Sequence, residues 1–577
     1  MSGLDWIVLA ASLAGIVVYG VWRGRGSRDL GGYLLADRTM RWPTITLSIM
    51  ATQASAITFL STPGQGYADG MRFIQFYFGL PLAMIVLAAT AVPIYHRLKV
   101  YTAYEYLERR FDAKTRTLAA SLFLVQRGLA AGLTIYAPAL ILSVLLGWNI
   151  YLTNLVLGTL VIIYTASGGA KAVSHTQFLQ MIIIFLGFGV ALVYILNSLP
   201  EGISLLDAAV VAGKMGKLNA VDFSFDLANR YNFWSGLIGG FFVALSYFGT
   251  DQSQVGRYLT GRSIAESRTG LLANGIVKIP MQFAILFLGA MVFVFYLFAA
   301  PPVFFNPVEV ERVRAGAHGE EFRAVESRYD AASGLRQERA REVVEAHRRG
   351  DRAASERAVQ GLREADAGAQ AIRADALSLI RKNDPAAQTS DTNYVFLSFV
   401  LRHLPIGIVG LVLAAIFAAS MSSTSAELNA LSSTTSVDFY KRFVERAAVG
   451  EGAGAAAGRR EVMVSKGATI FWGAFAIAFA EYASRLGSLI EAVNILGSLV
   501  YGTILGIFLV AFYLKRVGGT AVFAAALVAE VAVVACFLFT EISFLWYNVV
   551  GCLGVVAVSL LLTGFGTKTP APVAARS

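Results

Sequence analysis

Apolar runs of about 20 residues recur along this 577-residue chain, with short polar loops between them. A run of that length is what an α-helix needs to cross the hydrocarbon core of a bilayer. Hydrophobic residues make up 56% of the chain, and the mean hydropathy is +0.60, more than soluble domains carry. The sequence therefore predicts an all-α polytopic membrane protein. About thirteen spans fit, near 4–22, 43–67, 73–95, 117–146, 150–167, 176–198, 233–254, 271–299, 395–436, 463–484, 488–514, 519–539 and 545–565.

Basic residues follow the first span at once, as Arg23, Arg25 and Arg28, whereas the loop near Trp148 carries almost none. The positive-inside rule then predicts an N-terminus outside and a C-terminus in the cytoplasm of a plasma membrane, the inner one in a bacterium. Leu4–Trp22 has no charged n-region before it and no obvious cleavage site, so we interpret it as a retained span. The net charge of +10 is thus a topology signal, and no nucleic-acid partner is expected.

The most unusual segment runs from Ala414 to Phe443, where an apolar helix turns into a run of hydroxyls. Hydroxyls at membrane depth need hydrogen-bond partners and usually face the interior of a helix bundle. Ser422 and Ser423 lie one helical turn after Ala419, so two hydroxyls and a carbonyl could offer neutral oxygens to a small cation. The alternative is that these side chains only hold neighbouring helices together.

Two spans are interrupted by residues that weaken helices. The span 43–67 contains Pro63, Gly64 and Gly66, and the span 233–254 contains several glycines, namely Gly236, Gly239, Gly240 and Gly249. Interrupted spans at matching places in two halves indicate a transporter binding site. They suggest two inverted five-helix repeats, 43–198 and 233–514. The alternative is that the glycines only allow helices to pack closely.

Charged and polar residues inside the spans are the candidates for solute binding. Arg127 could bind a carboxylate through its planar guanidinium, or could pair with a structural acid such as Glu491. Lys278 is expected in a vestibule or gate. The other candidates for solute contact are Gln53, Ser55, Thr58, Gln75 and Asn494, and those for aromatic gates are Phe78, Tyr247 and Phe248.

The segment that ends in SVDFYKRF resembles the signature helix of the sodium/solute symporter family, and SIMATQASAITFLSTPGQGY resembles the family's first broken helix. The resemblance covers nearly the whole chain and implies a leucine-transporter-like core. It also implies that the coupling Na⁺ is held by Ser422 and Ser423 with the carbonyls of Ala51, Ala54 and Ala419. The stretches YTAYEYLERRF and IYAPALIL look most like the branch that carries iodide, vitamins, monocarboxylates and sialic acid, whose sialic-acid members use an intramembrane Arg for the acid group.

One position departs from the family pattern. The stretch GGAKAVSHTQFLQ has Gln177 where the family usually carries an Asp. In members thought to bind a second Na⁺, that Asp combines with two hydroxyls at the positions of Ser425 and Ala426. Because the carboxylate and one hydroxyl are missing, we predict a single coupling Na⁺.

The segment 300–392 departs from the family plan by being rich in charge and Ala, which favours exposed helices, a helical hairpin or partial disorder. It is expected outside the membrane, where an extracytoplasmic partner is one option and an insertion without a partner the other. A second loop, 448–461, is predicted to be a flexible linker. The expected divisions are 1–42, first helix and loop; 43–198, first repeat; 199–232, outer loop; 233–299, start of the second repeat; 300–392, insertion; 393–514, rest of the second repeat; and 515–577, two C-terminal helices and tail.

These observations predict a non-enzymatic, sodium-coupled importer of a small polar solute, most simply an organic anion or carboxylate. The stretch FIQFYF has one amide and no acid, which disfavours a sugar, and a Na⁺/sugar symporter is the alternative. A transporter-like sensor is a further possibility of another class. Only two cysteines occur, Cys536 and Cys552, and the five histidines are scattered, so no disulfide framework or metal-centred enzyme is expected.

Overall fold

The computed structural model describes residues 1–24, 34–200, 202–385, 387–445 and 455–565, and all of its named elements are helical. Asp112, Ser263 and Asp351 each start a helix by accepting a hydrogen bond from a backbone N–H of its first turn. In chain order the α-helices are α1 (Gly3–Gly24), α2 (Trp42–Gln53), α3 (Ala56–Asp69), α4 (Leu80–Ala89), α5 (Ala91–Leu98), α6 (Tyr104–Arg110), α7 (Ala113–Leu146), α8 (Ile150–Asn197), α9 (Leu205–Lys214), α10 (Gly240–Gly249), α11 (Gln252–Tyr258), α12 (Ile264–Phe298), α13 (Pro307–Ala315), α14 (Gly319–Arg348), α15 (Arg352–Asn383), α16 (Thr392–His403), α17 (Ile408–Thr434), α18 (Ala455–Ala480), α19 (Leu489–Tyr513), α20 (Gly519–Phe539) and α21 (Phe544–Phe565).

Nine helical segments in the described residues are long and apolar enough to cross a membrane, and three more apolar helices are shorter. This confirms the polytopic all-α class, while the count of thirteen spans stays a prediction. Helix α8 differs from expectation, because it runs without a break for 48 residues where two spans, 150–167 and 176–198, are predicted. The sequence between those spans contains Ala and Lys, which favour helix. Its apolar parts, Ile150–Ile163 and Val173–Asn197, correspond to the two predicted spans, but they are joined by helix where a loop is expected.

The first interrupted span is a broken helix, as expected, but the break is not at its proline and glycines. Helix α2 ends at Gln53, Ala54 and Ser55 leave the helical conformation, and α3 begins at Ala56. Helix α3 continues through Pro63, Gly64 and Gly66. A Cβ on Gly64 would lie 1.9 Å from the carbonyl oxygen of Thr392, so this glycine allows α3 and α16 to touch.

The second interrupted span also breaks, directly after the last of its glycines. Helix α10 ends at Gly249, Thr250 and Asp251 are non-helical, and α11 begins at Gln252. The earlier glycines of this span allow close packing instead, since a Cβ on Gly236 would lie 2.0 Å from the carbonyl oxygen of Gln75.

The charged insertion forms a helical hairpin of α14 and α15, preceded by the short α13. The hairpin has its own apolar core, which includes Phe304, Phe322 and Tyr329. It is fastened to the rest of the chain, because Arg348 forms an ion pair with Asp207 at 2.6 Å. This guanidinium holds the pKa of Asp207 well below its usual range, since its hydrogen bonds favour the ionised carboxylate. The expectation of a helical hairpin is confirmed for 307–383.

Contacts next to the insertion close one side of the bundle. The hydroxyl oxygens of Ser61 in α3 and Ser488 before α19 lie 3.2 Å apart. Asn393 in α16 donates from Nδ2 to the carbonyl oxygen of Gly487 at 3.1 Å. Helix α3 therefore meets α16 and α19 on the side of the bundle that carries the insertion. Of the predicted linker 448–461, residues 448–454 lie outside the described residues, and 455–461 begin α18 instead of forming a linker.

Candidate functional site

The hydroxyl segment and the first break come together at one point. The side-chain hydroxyls of Ser422 and Ser423 in α17 donate to the carbonyl oxygen of Ala51, at 3.1 Å and 3.2 Å. Ala54 lies at the break itself, and Ala419 lies one turn before the serines, and both are fully buried. Unwound carbonyls and hydroxyls are oxygens that suit Na⁺, and this pair of serines points its oxygens at such a carbonyl. The residues present thus fit a Na⁺ site, although the contacts to Ala54 and Ala419 stay predictions.

Gln177 occupies the space beside this point with an amide. Its Oε1 accepts a hydrogen bond from the Ser48 hydroxyl at 2.5 Å. Its Nε2 donates to the Thr52 hydroxyl at 3.2 Å and to the carbonyl oxygen of Ser422 at 3.3 Å. An N–H donor therefore meets oxygens that a cation would otherwise meet. An amide with these hydrogen bonds is consistent with a position that holds no second cation.

A cavity of about 120 Å³ lies between the two broken helices and α19. It contains most of the candidates for solute contact and gating. Gln53, Ser55, Thr58, Arg127, Tyr247, Phe248, Lys278 and Asn494 all line it. The cavity is also lined by Glu427 and Tyr501, which were not among the candidates.

Two candidates, Gln75 and Phe78, do not line this cavity. Gln75 donates to the carbonyl oxygen of Tyr231 at 2.7 Å and accepts from the backbone N–H of Asp222 at 2.9 Å. Its amide therefore holds the 222–231 loop and does not face the cavity. Phe78 packs against Phe233, with 6.1 Å between the ring centres, and does not line the cavity.

Arg127 is deeply buried and lies among acids. Its NH2 nitrogen donates to a carboxylate oxygen of Asp251 and, at 2.6 Å, to the hydroxyl of Tyr501. Its NH1 nitrogen donates to Oε1 of Glu427 at 3.1 Å. The suggested partner Glu491 instead pairs with Arg230, at 2.6 Å. The alternative of pairing with an acid is thus correct for Arg127, but Glu491 was the wrong acid.

Sequence reasoning missed Asp251, Glu427 and Tyr501 as partners of Arg127. Asp251 lies in the predicted span 233–254 and Glu427 lies in the hydroxyl segment, and an acid inside a span is itself a signal. What the sequence could not give was the depth of each helix in the bundle. Glu491 was chosen because it shares a helix with Asn494, yet it sits near the first turn of α19, where it faces Arg230.

Lys278 is the other buried cation of the cavity, with 2% of its surface exposed. Its ammonium lies 5.7 Å from the centre of the Tyr77 ring. Among the described residues no carboxylate lies within ion-pair distance of it. The cavity therefore combines a paired guanidinium with an ammonium that has no acidic partner in the described ranges.

The comparisons with known proteins agree with this geometry. A family model described as the sodium:solute symporter family matches residues 33–324 and 373–529, leaving out much of the insertion. The human sodium/iodide cotransporter is 31% identical over 299 residues, covering 51% of this chain and 45% of the relative. The sodium-dependent multivitamin transporter of Oryctolagus cuniculus is 36% identical, over 45% of this chain and 41% of the relative. Human sodium-coupled monocarboxylate transporter 1 is 33% identical, over 47% and 44%. The chain thus spans less than half the length of these curated relatives.

The fold is similar to that of a solved Na⁺-coupled sialic acid symporter in a substrate-bound, outward-open state, with a TM-score of 0.72. The identity is 22%, and 98% of each chain is covered, so this likeness shows the fold. The predicted branch resemblance and the all-helical core with two broken helices are confirmed together. With a family model that matches most of the residues, including both breaks and the Ser422–Ser423 pair, this chain belongs to the sodium:solute symporter family.

Proposed function

We propose that this protein is a Na⁺-coupled symporter that imports a small organic anion, with a carboxylate as the preferred group, by alternating access. The observation that carries the proposal is the meeting of Ser422 and Ser423 with the carbonyl of Ala51 at the break between α2 and α3. A cation at this point would tie α17 to the first broken helix, whose next turn lines the cavity. Binding of Na⁺ and binding of solute would then depend on the same helix positions.

The charge of the cavity supports an anion as the solute. Arg127 is paired with both Asp251 and Glu427, whereas Lys278 has no acid within ion-pair distance among the described residues, so a solute anion has this ammonium available to it. A solute carboxylate could meet the Lys278 ammonium and the N–H groups of Arg127 that Asp251 and Glu427 leave open. Burying a lone ammonium is costly, so an anionic partner would stabilise the loaded state.

A neutral sugar is the second candidate, and one observation favours it. Glu427, Gln53 and Asn494 line the cavity, and an acid with two amides suits hydroxyl groups. The acid, Glu427, lies in the signature helix. The FIQFYF stretch disfavours a sugar because it has no acid, and Glu427 supplies one from another helix.

Thermal stabilisation of the purified protein separates the two candidates. The ligands would be lactate, N-acetylneuraminate and galactose, each in sodium and in potassium, with Lys278→Met as variant and the exposed Lys466→Met as control. We expect an acid to stabilise the protein in sodium only, with the effect lost in Lys278→Met and kept in Lys466→Met. If galactose stabilises wild type and Lys278→Met equally, the sugar is favoured.

We also propose a single coupling Na⁺, because Gln177 places an amide where a second cation would need a carboxylate. Gln177→Asp combined with Ala426→Ser should create that second site. The Hill coefficient for Na⁺ activation should rise from about 1 towards about 2. The control is Gln180→Asp, which puts the same charge on a buried amide of the same helix. A wild-type coefficient already near 2 would contradict the single site.

The orientation belongs to the same proposal. We place the N-terminus and the insertion outside a plasma membrane and the C-terminus in the cytoplasm, as the positive-inside rule favours. The insertion packs on the closed side of the bundle, through Arg348 and Asp207 and through Arg373 and Asp391. In this arrangement it braces the outer loops, and a separate extracytoplasmic partner is not needed to explain it.

A further inference from the structure

Two carboxylates share one guanidinium in the cavity. Arg127 is bonded on one side to Asp251 and on the other to Glu427, and all three side chains are buried. With both acids ionised, these three side chains carry one net negative charge, which the Lys278 ammonium of the same cavity balances. A solute carboxylate would add a further negative charge, and because excess charge at membrane depth is costly, one of the two acids would then be under pressure to become neutral.

The hydrogen bonds show which acid is under that pressure. Oδ1 of Asp251 accepts from the backbone N–H and the hydroxyl of Ser253, at 2.8 Å and 2.6 Å, and Oδ2 accepts from Arg127 and Tyr501. Both oxygens of Asp251 are therefore satisfied by donors. Oε2 of Glu427, in contrast, is buried and makes no hydrogen bond among the described residues, and the nearby Thr134 hydroxyl donates to the carbonyl oxygen of Ala130 at 3.2 Å. A buried, ionised oxygen without a donor loses its hydration and has no hydrogen bond to compensate for that loss.

We infer that Glu427 is a proton-binding site and that binding of an acidic solute is linked to protonation of its Oε2. This inference rests on the proposed function. A solute carboxylate at the open N–H groups of Arg127, among them the unpartnered Nε, would bring a third negative group to the guanidinium. A proton taken from water forms an O–H bond at Glu427 and cancels the charge that the solute adds. A proton needs only this one oxygen, whereas a metal cation needs several.

The groups around Glu427 come from each helix packed on the cavity. They are Arg127 from α7, Tyr247 from α10, Asp251 before α11, Lys278 from α12 and Tyr501 from α19. Both Asp251 oxygens are occupied by donors, whereas Oε2 of Glu427 has none, so Glu427 is the acid with an oxygen open to a proton.

The consequence concerns the driving force. One Na⁺ with one monoanion moves no net charge, so a tenfold Na⁺ gradient supports only about tenfold accumulation. A proton that travels with the solute adds one positive charge for each cycle. The membrane potential then contributes about 2.3 kcal/mol for 100 mV. Transport of the acid becomes electrogenic, and it depends on pH.

Two measurements on the full chain test this inference. Infrared difference spectra, recorded from about pH 6 to about pH 9 without solute, detect the C=O stretch of a protonated carboxylic acid. Calorimetry of lactate and N-acetylneuraminate binding in sodium, in two buffers of different ionisation enthalpy, counts the protons taken up. The variant is Glu427→Gln, which keeps an oxygen for Arg127. The control is Glu530→Gln, because Glu530 also has a buried Oε2 without a partner but does not line the cavity.

We expect a titrating carboxylic band that Glu427→Gln removes and Glu530→Gln keeps. Proton uptake should rise with pH towards about one for each solute bound, and it should vanish in Glu427→Gln. A spectrum that Glu427→Gln leaves unchanged would overturn the inference. So would binding of an acid in sodium with no proton uptake across the whole range, and in that case the proposed function stands. If neither lactate nor N-acetylneuraminate binds in sodium, both the proposed function and the proton linkage are contradicted.

Discussion

Replacing Arg127 by Met is expected to destabilise the protein by about 3–5 kcal/mol, the usual cost of removing one partner of a buried ion pair. The substitution leaves Asp251 and Glu427 without their shared cation. Met has a similar length, so the loss reflects charge more than volume. The measurement is thermal or denaturant unfolding of the purified protein, compared with wild type.

The triple variant Arg127→Met, Asp251→Asn and Glu427→Gln provides the control. It removes all three charges together, and neutral replacement of a buried charged group is often neutral or stabilising. Most of the lost stability should therefore return. A single Arg127→Met variant as stable as wild type would contradict the assignment of Arg127 as the counterion of both acids.

The second large effect is expected for the serine pair. Ser422→Ala combined with Ser423→Ala removes both hydroxyls that meet the Ala51 carbonyl. Half-saturation of Na⁺ activation should shift upwards by about 100-fold or more, since even the outer partners of a bound metal ion are worth about 10–100-fold in affinity. The measurement is stabilisation by Na⁺ as a function of its concentration, which reports affinity directly.

Ser420→Ala is the matched control for the serine pair. Ser420 belongs to the same hydroxyl run, but its hydroxyl donates to the carbonyl oxygen of Thr134 at 3.2 Å and so ties α17 to α7. This variant should weaken packing and leave the Na⁺ affinity close to that of wild type. If all three serines had the same small effect on Na⁺, the pair would be helix contacts only.

The fold class was accessible from the sequence because it rests on a local pattern, and the meeting of the serine pair with the first broken helix was accessible through the resemblance. Apolar runs of bilayer length predict spans wherever they occur. The Ser422–Ser423 pair and the Ala51 carbonyl each lie in a short motif that resembles the family. Their meeting in the structure joins positions more than 350 residues apart, and that step came from the resemblance and not from the pattern.

The glycines and the proline correctly predicted which two spans are broken, but most of them do not lie at the breaks. Gly64 and Gly236 mark places where another backbone comes close, and the helix there is intact or locally widened. The actual breaks are at Ala54–Ser55 and, directly after Gly249, at Thr250–Asp251. Ser, Thr and Asp favour helix caps, and Asp251 caps α11, but the same residue types also occur inside the helices of this chain. Tertiary contacts decide such breaks, and a single sequence carries only a weak signal of them.

The partners of Arg127 were not predicted from the sequence, because ion pairing depends on the depth at which each residue lies in the helix bundle. Asp251 and Glu427 are 124 and 300 residues away along the chain. A buried cation predicts that an acid must be near it, but the identity of the acid follows only from how α7 packs against α17 and against the break between α10 and α11.

The most direct test of the account is solute uptake by sealed proteoliposomes with an imposed Na⁺ gradient. Labelled lactate and N-acetylneuraminate would be supplied outside, with sodium outside and potassium inside, and then with potassium on both sides. The account predicts transient accumulation of an acid above equilibrium only with the Na⁺ gradient, and no accumulation in the Ser422→Ala, Ser423→Ala double variant. Equal uptake with and without the gradient would contradict sodium coupling, and the serine pair would then only join α17 to the first broken helix.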